Sequence, residues 1–121
     1  MKKSFETRGE GSMDWAVSVS LGLHPRFNGW MRASMVVMEG MDYILAGLFT
    51  ESIANCKKYI EPVFLANEDH GLSKRYVPGK GWEMFIFWPG QEFISPSFGK
   101  TEAEAYCYLL LGLKKEQRVK H

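Results

Sequence analysis

Residues 72–95, LSKRYVPGKGWEMFIFWPGQEFIS, decide the fold. Three runs rich in aromatic and β-branched residues, 72–77, 82–88 and 91–95, are separated by Pro78-Gly79-Lys80-Gly81 and by Pro89-Gly90. Proline presets the first turn dihedral and glycine supplies the left-handed one, so these breaks read as tight turns. The stretch therefore predicts an antiparallel meander of three strands. Alternation in the middle run puts Trp82, Met84, Ile86 and Trp88 on one face and Glu83, Phe85 and Phe87 on the other. Both faces are largely apolar, which predicts that both are covered.

Outward from the meander the period changes from two to 3.6. GKTEAEAYCYLLLG at 99–112 carries Thr101 and Glu104 in T-x-x-E spacing, a capping box, then Ala103, Tyr106, Cys107, Leu110 and Leu111 as an apolar stripe and Gly112 as a stop. At the other end, GSMDWAVSVSLG at 11–22 places Met13, Ala16, Val17, Ser20 and Leu21 on one face and stops at Gly22. Between them Thr50 is the expected N-cap of a third helix with the stripe Ile53, Cys56, Tyr59, Ile60, Val63 and Phe64. Pro62 predicts a kink or stop near residues 59–61, because proline lacks a donor and crowds the preceding turn.

Residues 24–34, HPRFNGWMRAS, read as an ordered loop pinned down by Phe27 and Trp30. Residues 35–38 and 43–48 are short apolar runs around Glu39-Gly40-Met41-Asp42, consistent with a small hairpin, with a helical turn as the competing reading. The fold expected is α+β: a small antiparallel β-meander flanked by three α-helices, sandwich-like in the order α/β/α. Residues 1–10 form a flexible N-terminal segment in which Thr7 and Glu10 make a second T-x-x-E, 11–113 a single domain, and 114–121 a basic C-terminal tail.

A chain of 121 residues fits one domain, and 45% hydrophobic with 14% aromatic content suffices for a packed interior. Fifteen Lys and Arg against 14 Asp and Glu leave a formal charge of +1, which argues against nucleic acid as a partner through counterion release. The start MKKSFETRGEG is not followed by an apolar h-region, and no run approaches the ~20 apolar residues of a membrane span. Cys56 and Cys107 stand where apolar side chains would serve and read as reduced, buried thiols. A cytoplasmic protein is expected.

Catalytic signatures are weak. Gly99-Lys100-Thr101 ends as a phosphate-binding loop would, but Ile94 stands where that motif needs its first glycine. His24, His70 and His121 lack companions at ligand spacing, so no metal and no cofactor are expected. No G-x-S-x-G elbow occurs. Glu102 and Glu104, and Glu51 and Glu61, are the carboxylate pairs, the first better explained by capping. The four tryptophans, Trp15, Trp30, Trp82 and Trp88, serve as core or as the floor of a stacking pocket.

In chain order, MDWAVSVSLGL at 13–23, FTESIANCKKYIE at 49–61, GWEMFIF at 81–87 and GKTEAEAYCYLLLGL at 99–113 make the sequence resemble the phage ABA-sandwich family, the NinX-like small phage proteins. The resemblance implies an N-terminal Leu-Asp-x-x-Val-Ala helix, a Tyr-Ser-Thr-Asp start to a second helix, a Gly-Trp strand and a Thr-Pro-x-x-Ala final helix around an antiparallel sheet. Asp14, Thr50, Trp82 and Thr101 fall on the matching positions. The chain departs from the family in reading Phe49-Thr50-Glu51 for Ser-Thr-Asp and Thr101-Glu102 for Thr-Pro, and in its distinctive 25–48 segment. What the resemblance implies about biology is a phage or prophage origin and a small accessory role in the host cell.

The expected function is therefore non-enzymatic: an accessory protein that binds a host protein, in anti-defence or regulation. The recognition patch expected is Arg26, Phe27, Trp30 and Arg32, with Trp30 as anchor. An alternative is a sponge for a nucleotide-type small molecule, using Lys74, Arg75, Tyr76, Trp82 and Lys100 for stacking and phosphate neutralisation. A small hydrolase is a second alternative. Self-association into a homo-oligomer is expected through the strand edge at 72–77.

Overall fold

Ser12 opens the first helix, α1 (Met13–Ser20), its hydroxyl accepting the Trp15 N–H at 3.0 Å. The helix ends as its glycine predicts: the Gly22 N–H donates to the Val19 carbonyl at 3.0 Å and the Leu23 N–H to the Ser18 carbonyl at 2.9 Å. That double bond closes the last turn and satisfies carbonyls the helix leaves open. The chain is seen in a computed structural model that describes residues 12–66, 68–87 and 96–119. The T-x-x-E at Thr7, the strand expected at 91–95 and Trp88 lie outside the described residues.

Residues 24–34 are not a loop folded down onto the body. They carry a strand, β1 (Arg26–Asn28), which pairs antiparallel with β2 (Ala33–Met38), Asn28 opposite Ala33. The four residues between them project as a hairpin tip, and Trp30 is exposed rather than packed. The second hairpin is as the strand reading predicts. β2 pairs with β3 (Met41–Ile44) in a register that sets Met38 opposite Met41, joined by Glu39 and Gly40 at φ 55° and 79°. Left-handed dihedrals at both residues make a type I′ turn, whose twist matches that of the strands. A three-stranded sheet, β1-β2-β3, thus occupies the first half of the chain, where the sequence suggested only a hairpin.

The middle helix is composite: α2 (Ile53–Asn55), a π-helical segment (Cys56–Ile60) and α3 (Glu61–Phe64). The Glu61 N–H donates to the Cys56 carbonyl, five residues back. The expected break at Pro62 is thus absorbed as a widened turn and the helix runs on to Phe64. Thr50 is not its cap. Ser52 is, its hydroxyl accepting the Asn55 N–H at 3.2 Å, while Thr50 is engaged elsewhere.

β4 (Gly71–Val77) and β5 (Gly81–Phe87) form the long hairpin of a second sheet. Its turn closes with the Lys80 N–H on the Val77 carbonyl at 2.9 Å, Gly79 at φ 84° supplying the left-handed position after Pro78. The third strand is β6 (Ser97–Gly99), paired to β5 with Trp82 opposite Gly99. A side chain at Gly81 would put its Cβ 2.4 Å from the Gly99 carbonyl oxygen, so β5 and β6 close up only because glycine stands there.

The last helix, α4 (Glu102–Val119), begins with the predicted cap: the Glu104 N–H donates to the Thr101 hydroxyl at 3.1 Å. The Glu104 carboxylate in turn accepts the Lys100 N–H at 3.1 Å. Gly112 does not stop it. The helix runs through the basic stretch to Val119, because Leu113, Lys114 and Lys115 are good helix formers that offset the ~1 kcal/mol cost of one glycine.

The fold is mixed α+β, with two small antiparallel sheets. α4 packs on α1, on the π segment and on β5 and β6. Val17, Leu45, Phe49, Ile60, Phe64, Met84, Tyr106 and Leu110 meet in one core, where the Phe64 and Tyr106 rings stack at 6.2 Å. Cys56 and Cys107 are free and buried there. Hydrogen bonding to Cys56, with burial, raises the Cys107 thiol above its ordinary pKa, so Cys107 offers no ready thiolate. The second sheet's faces are not both covered as alternation suggested: Met84 and Ile86 are buried, while Phe87 opposite them is exposed.

Candidate functional site

The hairpin tip is the strongest candidate surface. Asn28 and Ala33 end the β1–β2 ladder, and inside the tip the Met31 N–H donates to the Asn28 side-chain oxygen at 3.1 Å. Arg32 takes a left-handed φ of 54°, which turns the chain back into β2. The tip is thus held by a local hydrogen bond and a fixed reversal. On it Trp30 is 96% exposed, beside Phe27 at 62% and Met31 at 52%. Val37, Met41 and Ile44 of the same sheet are exposed as well. Arg26 reaches across β2 to Asp42, 3.4 Å away, whereas Arg32 makes no ion pair among the described residues.

The second group of expected binding residues does not assemble into a phosphate site. Lys74 and Arg75 are neighbours on one strand and so point to opposite faces. The Lys74 ammonium donates to Glu102 at 2.8 Å and to the Tyr106 hydroxyl at 2.7 Å, with Glu61 3.9 Å away. Arg75 pairs with Glu83 at 2.6 Å. Tyr76 and Trp82 meet edge to face at 5.9 Å, and Trp82 packs against the core instead of flooring an open site. Lys100 is exposed before α4. Sequence adjacency suggested a basic cluster, but each of the two strand cations is neutralised by a carboxylate brought in from another element.

The Lys74 cluster joins three elements. Tyr106 donates to Glu61 at 2.7 Å while accepting from Lys74, so β4, α3 and α4 are tied together. Burial, with the Glu61 carboxylate, pushes the Tyr106 phenol up to about 12 in spite of the Lys74 ammonium beside it. Lys74 itself is held above the usual lysine range by Glu102 and Tyr106, against its partial burial. A phenol this reluctant to ionise is a poor base at neutral pH, and the cluster acts as a structural tie.

Asp14 was legible only as a resemblance position. It is fully buried and accepts four hydrogen bonds: from the Phe49 N–H at 2.7 Å, the Thr50 N–H at 3.0 Å, the Thr50 hydroxyl at 2.9 Å and the Gly47 N–H at 3.2 Å. α1 is thereby bolted to the bend before the middle helix. The buried Ser18 hydroxyl on the same helix has no partner among the described residues.

A cavity of about 560 Å³ opens between the starts of α2 and α4, lined by Thr50, Glu51, Ile53, Thr101, Glu102, Ala103 and Glu104. It gathers three glutamates, and no basic side chain lines it. Glu102 is spent on Lys74 and Glu104 on the Lys100 N–H, leaving Glu51 without an ion pair among the described residues. Among the described residues no three His, Cys, Asp or Glu are grouped to hold a metal, and no helix is long and apolar enough to cross a membrane. Compared with known proteins, the chain matches no family model, no curated protein and no solved structure.

Proposed function

We propose that this chain acts by binding, as a small phage or prophage accessory protein that captures a host protein with its first hairpin, in an anti-defence or regulatory role in the host cytoplasm. The phage origin rests on the sequence resemblance. The observation that carries the binding reading is Trp30, 96% exposed on a tip whose backbone is fixed. Covering roughly 200 Å² of indole at about 25 cal/mol/Å² is worth on the order of 5 kcal/mol before the costs of association. The Asn28 bond to the Met31 N–H steadies the tip's backbone, while the exposed Trp30 side chain is ordered on docking at a cost of about 0.5–1.5 kcal/mol. Arg32, two residues along the tip from Trp30, supplies a guanidinium with no ion pair among the described residues, and Trp and Arg are the residues most often found at interface hot spots.

The test is capture of a host protein by the immobilised chain and by its Trp30→Ala variant, with the melting midpoint of each measured in parallel. Loss of capture at an unchanged midpoint supports the proposal, and unimpaired capture by the folded variant rejects it. Lys74 and Arg75 are committed to carboxylates, so no observation favours the nucleotide sponge as a second reading.

A further inference from the structure

We infer that the hairpin tip of one copy docks into the cavity of a second copy, head to tail. The inference rests on the reading of the tip as a recognition element and names a second copy of this chain as one of its partners.

The two surfaces match in polarity and charge. The tip offers a projecting indole and a thioether, Trp30 and Met31, with one guanidinium, Arg32, that no carboxylate among the described residues pairs. The cavity, about 560 Å³, has apolar walls at Ile53 and Ala103 and a carboxylate, Glu51, that no cation among the described residues pairs. The cavity is open to solvent, so a side chain projecting from another copy can enter it. Of the three arginines whose side chains are described, Arg26 and Arg75 are already neutralised at home, so the unpaired one is Arg32, two residues from the exposed indole. With a formal charge of only +1, whole copies repel each other little.

Tip and cavity are different surfaces, so the contact is heterologous and each copy can both give and receive. Self-association then grows with concentration instead of stopping at a two-fold dimer. It also occupies the tip, so a host partner and a second copy compete for Trp30. This route differs from the edge pairing at 72–77 suggested by the sequence, although β4 is an outer strand of its sheet.

The experiment is sedimentation of the full chain from about 1 to 500 μM, with Trp30→Ala as a chain lacking the knob and Glu51→Arg as a chain lacking the hole. Wild type should increase in mass with concentration, and less so at high salt. Each variant alone should associate at least ~30-fold more weakly. Mixed, the two should form a one-to-one pair and nothing larger, since the Glu51→Arg tip still fits the Trp30→Ala cavity. Misfolding cannot produce that rescue. A monomeric wild type throughout the range, or variants that fail to associate when mixed, overturns the inference. Host capture separates it from the proposed function: Glu51→Arg should capture as wild type does. If wild type stays monomeric while Trp30 remains essential for capture, only the docking inference falls. If the mixture pairs while Trp30→Ala still captures the host protein, only the proposed function falls.

Discussion

Replacing Asp14 with asparagine removes one carboxylate oxygen from the bolt between α1 and the 47–50 bend while keeping its shape. The less damaging orientation keeps an oxygen toward the Phe49 and Thr50 N–H groups and turns the new amide nitrogen toward Gly47 and the Thr50 hydroxyl. The hydroxyl can rotate to accept, but the Gly47 N–H then faces another donor. Losing one charge-assisted bond and leaving that N–H unpaired costs about 2–3 kcal/mol. Asp14→Ala strands three N–H groups together and should cost at least ~4 kcal/mol, a large part of the ~5–15 kcal/mol that holds a domain folded. At roughly 3–5 °C per kcal/mol for a chain of this size, the asparagine variant should melt about 10 °C below wild type. Urea and thermal unfolding followed by circular dichroism give both numbers. An Asp14→Asn chain within about 0.5 kcal/mol of wild type would refute the reasoning, because it would mean that the bend supports itself.

Thr101→Ala should cost about 1 kcal/mol by leaving the Glu104 N–H without its cap, and an unchanged melting midpoint would contradict the cap. Tyr106 predicts a pH dependence: its folded phenol is pushed up to about 12 from an unfolded value near 10. Its contribution is therefore complete below pH ~10 and lost as pH rises toward ~12, so the stability advantage of wild type over Tyr106→Phe should shrink across that window. Lys74, also raised, titrates in the same direction. A wild-type advantage that stays constant through the window would show that the phenol does not titrate as placed.

What the sequence made legible was local. Ser12 and Gly22, Thr101 and Glu104, Glu39-Gly40 and Pro78-Gly79 each act on backbone within a few residues, and each could be read from spacing alone. What it hid was long-range. Thr50 and Ser52 are equally good caps two residues apart, and what removes Thr50 is Asp14, 36 positions upstream. Lys74 looked available for a phosphate because Glu61 and Glu102 are distant in sequence and adjacent in space. β1 is hidden by its length, three residues after a proline, and by a four-residue tip whose left-handed position falls on Arg32, a residue that carries no turn signal. Trp30 could be named as an anchor but not placed, since an aromatic in a loop reads equally as core or as surface.

The central claim is that Trp30 and Arg32 serve recognition and leave the fold alone. Replacing both with alanine and measuring melting midpoint and host-protein capture on the same preparation tests it most directly. Both side chains are exposed and neither is bonded to another described residue, so the midpoint should stay within about 2 °C of wild type while capture is lost. A double variant that melts normally and captures its partner as well as wild type would contradict the account.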